Sequence, residues 1–162
     1  MNSTKIVEIT ILLFLLLLCS CESTPKSNTL EIAKTIDDEI VFIDKDKLIE
    51  KLENDLLTTK QRSIKINEIH IDFSKAVDNQ ASTIIQLIGS NKIRSTQISY
   101  VLRKEQNVFL LDIENTILVC EGCTVGCLPK RLTNNEGYCT PCDITHDDTC
   151  IKTESLIPEN KR

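Results

Sequence analysis

The chain of 162 residues has a formal net charge of −5 at pH 7, and it contains no tryptophan, two tyrosines and four phenylalanines. The negative charge argues against a nucleic-acid partner, which needs a basic stripe, and the shortage of rings leaves few platforms on which bases or sugars could stack. The length is enough for one modest domain with a real core, which Ile and Leu above all must build.

The first 20 residues have the pattern of an export signal. Lys5 supplies a weakly basic start, and residues 9–18 are all aliphatic or Phe apart from Thr10. An apolar run of about 7–15 residues after a positive start is typical of a signal peptide, whereas a membrane-spanning helix needs about 20 apolar residues. We therefore expect residues 1–20 to be a signal peptide.

The end of this segment, Leu18-Cys19-Ser20-Cys21, resembles the lipobox of bacterial lipoproteins, with Cys19 where Ala, Ser or Thr is usual. The resemblance implies that Cys21 becomes the first residue of the mature protein and is lipidated on its sulfur and its amine. Several acyl chains anchor a protein stably where one does not. The resemblance also implies a cell-envelope location, and Glu22 in place of Asp favours the outer over the inner membrane. The alternative is an ordinary signal peptide cut near Ser20, which would release a soluble secreted protein.

Residues 21–28 are polar and form the predicted lipidated tether, after which we expect an α+β domain over residues 29–119. Its first predicted strand is the short apolar run 39–43. A helix over 45–59 should follow, because apolar residues recur there at helical spacing and can pack on a sheet. These apolar positions are Leu48, Ile49, Leu52 and Leu56.

Five further strands are expected before the cysteine-rich part of the chain. They are 64–73, 83–88, 95–103, 107–112 and 116–120. The first of them would contain a bulge at 67–68, where the alternation of apolar residues shifts. The links 89–92 and 104–106 are short, so they suit antiparallel hairpins and exclude helical crossovers. The fold class is therefore α+β: an antiparallel β-meander packed by one or two helices.

Six of the eight cysteines lie close together near the C-terminus. They are Cys120, Cys123, Cys127, Cys139, Cys142 and Cys150. We expect a loop-rich segment over residues 120–153, called here the Cys-rich module, and a tail over 154–162. An even number of cysteines in an exported chain favours disulfides, here three. Bridges within one CxxC would close very small loops, so pairing between the clusters 120–127 and 139–142 is favoured.

Two other uses of these cysteines stay open. Cys120, Cys123, Cys139 and Cys142 form C-x2-C-x15-C-x2-C, the spacing of a four-thiolate zinc site, which would make the protein a zinc-binding lipoprotein. Cys120 and Cys123 also follow a predicted strand, as redox cysteines of thioredoxin do. A thiol–disulfide oxidoreductase is therefore the third hypothesis.

The Cys-rich module contains two recognisable patterns: Cys-x-Gly-Cys-x-x-Gly-Cys-x-Pro at 120–129 and Tyr-Cys-Thr-x-Cys at 138–142. Both patterns resemble the C-termini of small uncharacterised lipoproteins of Bacteroidetes-type bacteria. The similarity covers about residues 100–153 and implies no particular activity.

Neither histidine has neighbours that suggest catalysis. His70 alternates with Ile69 and Ile71 and should point off the core face, while His146 lies in an acidic loop where a solvated turn is favoured over a loose metal contact. The sequence contains no phosphate loop, nucleophile elbow or HExxH motif. We therefore expect no catalytic residue and no cofactor. The predicted function is that of an exported, lipid-anchored protein which presents a disulfide-stapled module to an envelope or cell-surface protein.

Overall fold

The fold combines one helix and ten strands in residues 29–112, 116–143 and 149–156, the part of the chain that the computed structural model describes. The strands are β1 Thr29–Ile36, β2 Glu39–Phe42, β3 Glu68–Lys75, β4 Thr83–Ser90, β5 Thr96–Glu105, β6 Val108–Asp112, β7 Thr116–Glu121, β8 Pro129–Arg131, β9 Gly137–Cys139 and β10 Ile151–Leu156. The helix α1 covers Lys45–Lys60. Eight strands form one antiparallel sheet, and β8 pairs with β9 in a separate hairpin. The predicted α+β class is confirmed.

Strands β3 to β6 follow one another as antiparallel neighbours, as the short links predicted. The long strand β5 has two further partners along its length, since residues 96–100 pair with β7 and residues 102–105 with β6. Strand β1 then pairs with β6, and β10 pairs with β7. The first described strand therefore extends the sheet beyond β6, and the last extends it beyond β7.

One face of the sheet, called here the helix face, bears Leu87, Ile98 and Tyr100 and is covered by α1. Asp44 caps this helix, because its side chain accepts a hydrogen bond from the Lys47 amide at 3.0 Å. The buried residues of the helix include Leu48, Leu52 and Leu56, with Ile49 packed beside the core. The predicted apolar stripe is therefore confirmed.

The opposite face, called here the module face, bears Gln86, Gln97 and Ser99 on β4 and β5. The Cys-rich module lies on this face, where Arg131 of β8 donates a hydrogen bond to the Ser99 carbonyl at 3.1 Å. Because the helix covers one face and the module the other, β5 is buried on both sides over residues 96–100.

Residues 68–73 form a strand as predicted, but residues 64–67 lie outside any strand, so the predicted start at 64 and the bulge at 67–68 are wrong. Strand β3 begins at Glu68 instead. The Ile66 amide donates to the Glu53 side chain of α1 at 3.0 Å, and the Ile66 side chain is buried in the core. The segment is therefore held by the helix and needs no pairing with a neighbouring strand.

Strand β1 has no counterpart among the predicted strands. Its neighbouring residues Ile32 and Ala33 are both buried, and its register with β6 shifts between Glu31 and Ala33. This irregularity breaks the alternation by which a strand is recognised in a sequence.

The module is continuous with the sheet at both ends. Strand β7 crosses residue 120, where the module was expected to begin, and β10 extends to Leu156, past its expected end at 153.

Candidate functional site

All six cysteines of the Cys-rich module are paired in disulfides. The bridges are Cys120–Cys139, Cys123–Cys142 and Cys127–Cys150. Each one joins a cysteine of the first cluster to a cysteine at least 19 residues later. The disulfide hypothesis is confirmed. Two of the three bridges join the clusters 120–127 and 139–142 as favoured, and the third pairs Cys127 with Cys150, which lies outside both clusters.

The four cysteines of the alternative zinc set, Cys120, Cys123, Cys139 and Cys142, form two of these bridges. Zinc binds cysteine as the thiolate, a form that a disulfide sulfur does not have. Within the described residues, no three or more Cys, His, Asp or Glu side chains come together as potential metal ligands. In the oxidised fold these four cysteines are covalent cross-links.

A glycine lets the two halves of the module approach closely. Gly126 has a φ of +89° and forms an isolated antiparallel bridge with Cys142. A Cβ atom at this position would lie 2.5 Å from the Pro141 carbonyl oxygen. Only glycine adopts such a backbone without a side-chain clash. Gly126 therefore allows the two cysteine clusters to approach each other to disulfide-bonding distance.

The sulfur atoms form a small core on the module face. Cys120, Cys123 and Cys127 are at most 2% exposed, and they pack with the buried Leu118 of β7. Every bridge contains one of these three buried cysteines. A disulfide typically contributes about 2–4 kcal/mol, so the bridges stabilise a loop-rich segment with few apolar side chains.

A fully buried arginine holds the module on the sheet. Arg131 is 0% exposed, and its guanidinium donates to the Ser99 and Thr116 carbonyls, each at 3.1 Å, and to the Asn135 carbonyl at 2.9 Å. It also donates to the Thr116 hydroxyl at 2.9 Å and to Glu154 at 3.1 Å. Burial lowers the pKa of Arg131 to about 10, against the attraction of Glu154, which raises it. One side chain thus links β5, β7, β10 and the β8–β9 hairpin.

Glu154 of β10 completes this network from the other side. Its carboxylate accepts hydrogen bonds from the Gly137 amide at 2.9 Å and from the Thr116 hydroxyl at 3.2 Å. Lys152 forms an ion pair with it at 3.3 Å. The last described strand is therefore joined to the module by charge-assisted hydrogen bonds as well as by backbone pairing.

Sequence reasoning missed Arg131. It follows Pro129 and Lys130 in a polar stretch, where a basic pair would ordinarily be solvated. The signal that could have found it is the polar but buried face of β5, which becomes visible only once the module is known to cover that face.

Two contacts on the far side of the module reach the loops and edge of the sheet. Asp78, after β3, accepts from the Thr133 amide at 2.9 Å and from the Thr133 hydroxyl at 2.7 Å. These hydrogen bonds lower the pKa of Asp78. Lys130 forms an ion pair with Asp72 of β3 at 3.5 Å. The module is therefore fixed at its centre and at its rim.

The end of the helix is tied to the same region. Lys60 and Arg62 both pair with Glu121, the buried last residue of β7. Lys60 also donates to the Thr153 hydroxyl of β10 at 2.9 Å. The helix, the sheet and the module therefore share one electrostatic cluster.

A second buried polar cluster lies on the helix face. The Tyr100 hydroxyl donates to Asp55 of α1 at 2.5 Å, and Lys51 pairs with the same carboxylate oxygen at 2.6 Å. Burial, followed by the charge and hydrogen bond of Asp55, raises the pKa of Tyr100 well above its ordinary value. The phenol is therefore a neutral hydrogen-bond donor in the core at physiological pH.

The remaining sequence candidates are distributed as follows. His70 is exposed on β3, as predicted. Cys21, the expected lipidation site, and His146 lie outside the described residues. Among the helices that are described, none is long and apolar enough to cross a membrane.

Comparisons of the chain with protein-family models, with curated proteins and with solved structures found no match. The described residues form a disulfide-stapled α+β domain, and three disulfides in one small domain are typical of a protein outside the cytoplasm.

Proposed function

We propose that this chain is an exported, lipid-anchored protein of the bacterial cell envelope. Its folded domain serves as a non-catalytic interaction or structural module. The observation that carries the proposal is the set of three disulfides, because they require an oxidising compartment and residues 1–21 have the pattern that delivers a chain there.

Lipidation at Cys21 would keep the domain next to the membrane. Residues 22–28 separate Cys21 from Thr29, where the sheet begins. At about 3.3–3.6 Å per residue, this tether spans at most roughly 25 Å. A partner in the same membrane, or at its surface, is therefore within reach of the domain.

An interaction or structural role agrees better with the state of the sulfurs than redox catalysis does. A catalytic thiol is exposed and easily ionised, whereas Cys120, Cys123 and Cys127 are almost completely buried. The bridges also cross-link a segment that pairs and hydrogen-bonds with the sheet. Opening one of them in a catalytic cycle would disturb the module that it supports.

Intact mass measured on protein purified from the envelope tests the proposal directly. The expected mass is that of residues 21–162 with attached lipid, and reduction should add two hydrogens for each of the three disulfides. Cys21→Ser should abolish lipidation and membrane retention, whereas Cys19→Ser should leave both intact because serine is usual at that lipobox position.

Intact mass and three further assays separate the alternatives. An unlipidated mass from cleavage near Ser20 would favour a soluble secreted protein. Stoichiometric zinc with four free thiols, measured by elemental analysis and thiol titration, would overturn the disulfide proposal in favour of a zinc-binding lipoprotein. Cysteine-dependent reduction of insulin would instead favour an oxidoreductase.

A further inference from the structure

A groove of about 550 Å³ lies on the module face, between the sheet and the module. It is called here the module groove. Its floor is formed by Ile88, Ser90 and Gln97 of β4 and β5. One wall consists of the β3 side chains that face the same way, including His70, and the other is the module segment 128–130. The volume lies within the range of small-ligand sites in proteins.

The floor contains two buried polar side chains with unused hydrogen-bonding capacity. Ser90 is 3% exposed and Gln97 is 6% exposed, and neither side chain has a hydrogen-bond partner among the described residues. Gln86 on the same face is different, because it bonds to Ser74 and Ser99. The side-chain oxygen and nitrogen atoms of Ser90 and Gln97 are not among the fully buried, unpartnered atoms of the described residues. They therefore remain accessible, and the groove presents a hydroxyl and a carboxamide to whatever occupies it.

The rim carries charges of both signs. Arg94 pairs with Glu68 at 3.0 Å at one point, and Lys130 pairs with Asp72 at 3.5 Å at another. Glu68 and Asp72 lie on the same side of β3, four residues apart, which is about 13 Å along an extended strand. No Phe, Tyr or Trp is among the described residues that line the groove, so it offers no ring for stacking a base or a sugar.

We propose that the module groove binds a short peptide. The carboxamide of Gln97 can donate one hydrogen bond and accept another, which matches the C=O and N–H of a peptide group. The Ser90 hydroxyl can take either role. The charged side chains of the two ion pairs on the rim can pair instead with the charged termini or side chains of the peptide. This site does not depend on lipidation, so its failure and the failure of the proposed envelope role are distinguishable.

Calorimetric titration and amide NMR shifts of the full, disulfide-bonded protein test the site, with the tripeptides Lys-Ala-Glu and Ala-Ala-Ala as probes. Both should give saturable binding with amide shifts centred on Ser90 and Gln97, and Lys-Ala-Glu should bind more tightly. N-acetylglucosamine and acetate, titrated in the same way, should not saturate the groove.

Gln97→Leu should weaken Lys-Ala-Glu binding by about tenfold or more. The exposed Gln80 is the matched control, and Gln80→Leu should leave the affinity unchanged. Gln97→Leu should not lower the unfolding temperature, because the side-chain amide that it removes has no hydrogen-bond partner among the described residues. Ser90→Ala provides a second, smaller change with the same expected direction.

Three results would overturn the proposal. The first is the absence of saturable tripeptide binding at about 10 mM, well above the millimolar dissociation constants of weak complexes. The second is equal affinity of the wild type, Gln97→Leu and Ser90→Ala. The third is binding of an unfolded protein such as reduced, carboxymethylated lactalbumin without binding of either tripeptide, which would point to a partner protein in place of a free peptide.

Discussion

Replacement of Arg131 by methionine should strongly destabilise the fold. The change keeps most of the side-chain stem but removes a guanidinium that is fully buried and donates five hydrogen bonds. It leaves the carbonyls of Ser99 and Thr116 without these donors, and it leaves Glu154 without its buried partner. Removal of one partner from a buried ion pair costs about 3–5 kcal/mol.

The expected loss for Arg131→Met lies at the lower end of that range, at about 3 kcal/mol. Glu154 is 20% exposed and still accepts from Gly137 and Lys152. Burial of the guanidinium, which lowers the pKa of Arg131, also removes water from a charged group and so disfavours folding. The Arg131→Met variant lacks this unfavourable desolvation. Both effects offset part of the lost interaction.

Urea unfolding of the disulfide-intact protein measures this difference. The midpoint should fall while the m-value stays constant, since the surface exposed on unfolding hardly changes. Arg103→Met is the matched control, because Arg103 is half exposed and its ion-pair partners among the described residues are the surface groups Glu105 and Asp112. Exposed ion pairs contribute about 0–1 kcal/mol. If both variants lose less than about 1 kcal/mol, Arg131 does not hold the module on the sheet.

Three other predictions address the cross-links, the module turn and the core. Simultaneous Cys127→Ser and Cys150→Ser should lower the free energy of unfolding by about 3 kcal/mol, because the bridge closes a long loop; an unchanged urea midpoint would contradict this. Gly126→Ala should cost about 1–3 kcal/mol because of its positive φ and its clash with a neighbouring carbonyl, and wild-type stability of this variant would show that the approach is not tight. Tyr100→Phe tests the alkaline limb of stability. The pKa of Tyr100 is raised in the fold, so above pH 10 the unfolded chain loses a proton that the folded chain keeps, and stability falls as the pH rises. The stability advantage of the wild type over Tyr100→Phe, measured by urea midpoints, should therefore shrink above pH 10, and an advantage that grows there would refute the assignment.

Local patterns predicted a large part of the fold. The spacing of Leu48, Leu52 and Leu56 identified α1 and its buried side, because helical periodicity depends only on residues within a few turns. The short links around β5 identified antiparallel hairpins for the same reason. Strand β1 was not predicted, because its register shift against β6 breaks the alternation of buried and exposed residues.

The module face shows where sequence reasoning failed. Gln97 and Ser99 alternate with the apolar Ile98 and Tyr100 on β5, a pattern typical of a strand with one solvated side. Both polar residues are buried, because the Cys-rich module covers that side of the sheet. The module residue Arg131, which contacts Ser99 on this side, follows it by 32 positions in the sequence. No local pattern within β5 indicates that the module lies there.

By itself, the sequence determined the helix, most of the strands, the number of cysteines available for bridges and the expectation of export. These properties depend on neighbours along the chain and on composition. Only the tertiary structure decided which cysteines pair, because a disulfide needs Cα atoms about 4.4–6.8 Å apart. The separations of 5.3–5.8 Å arise where β7, the β8–β9 hairpin and β10 meet. The same meeting of distant segments buried Arg131.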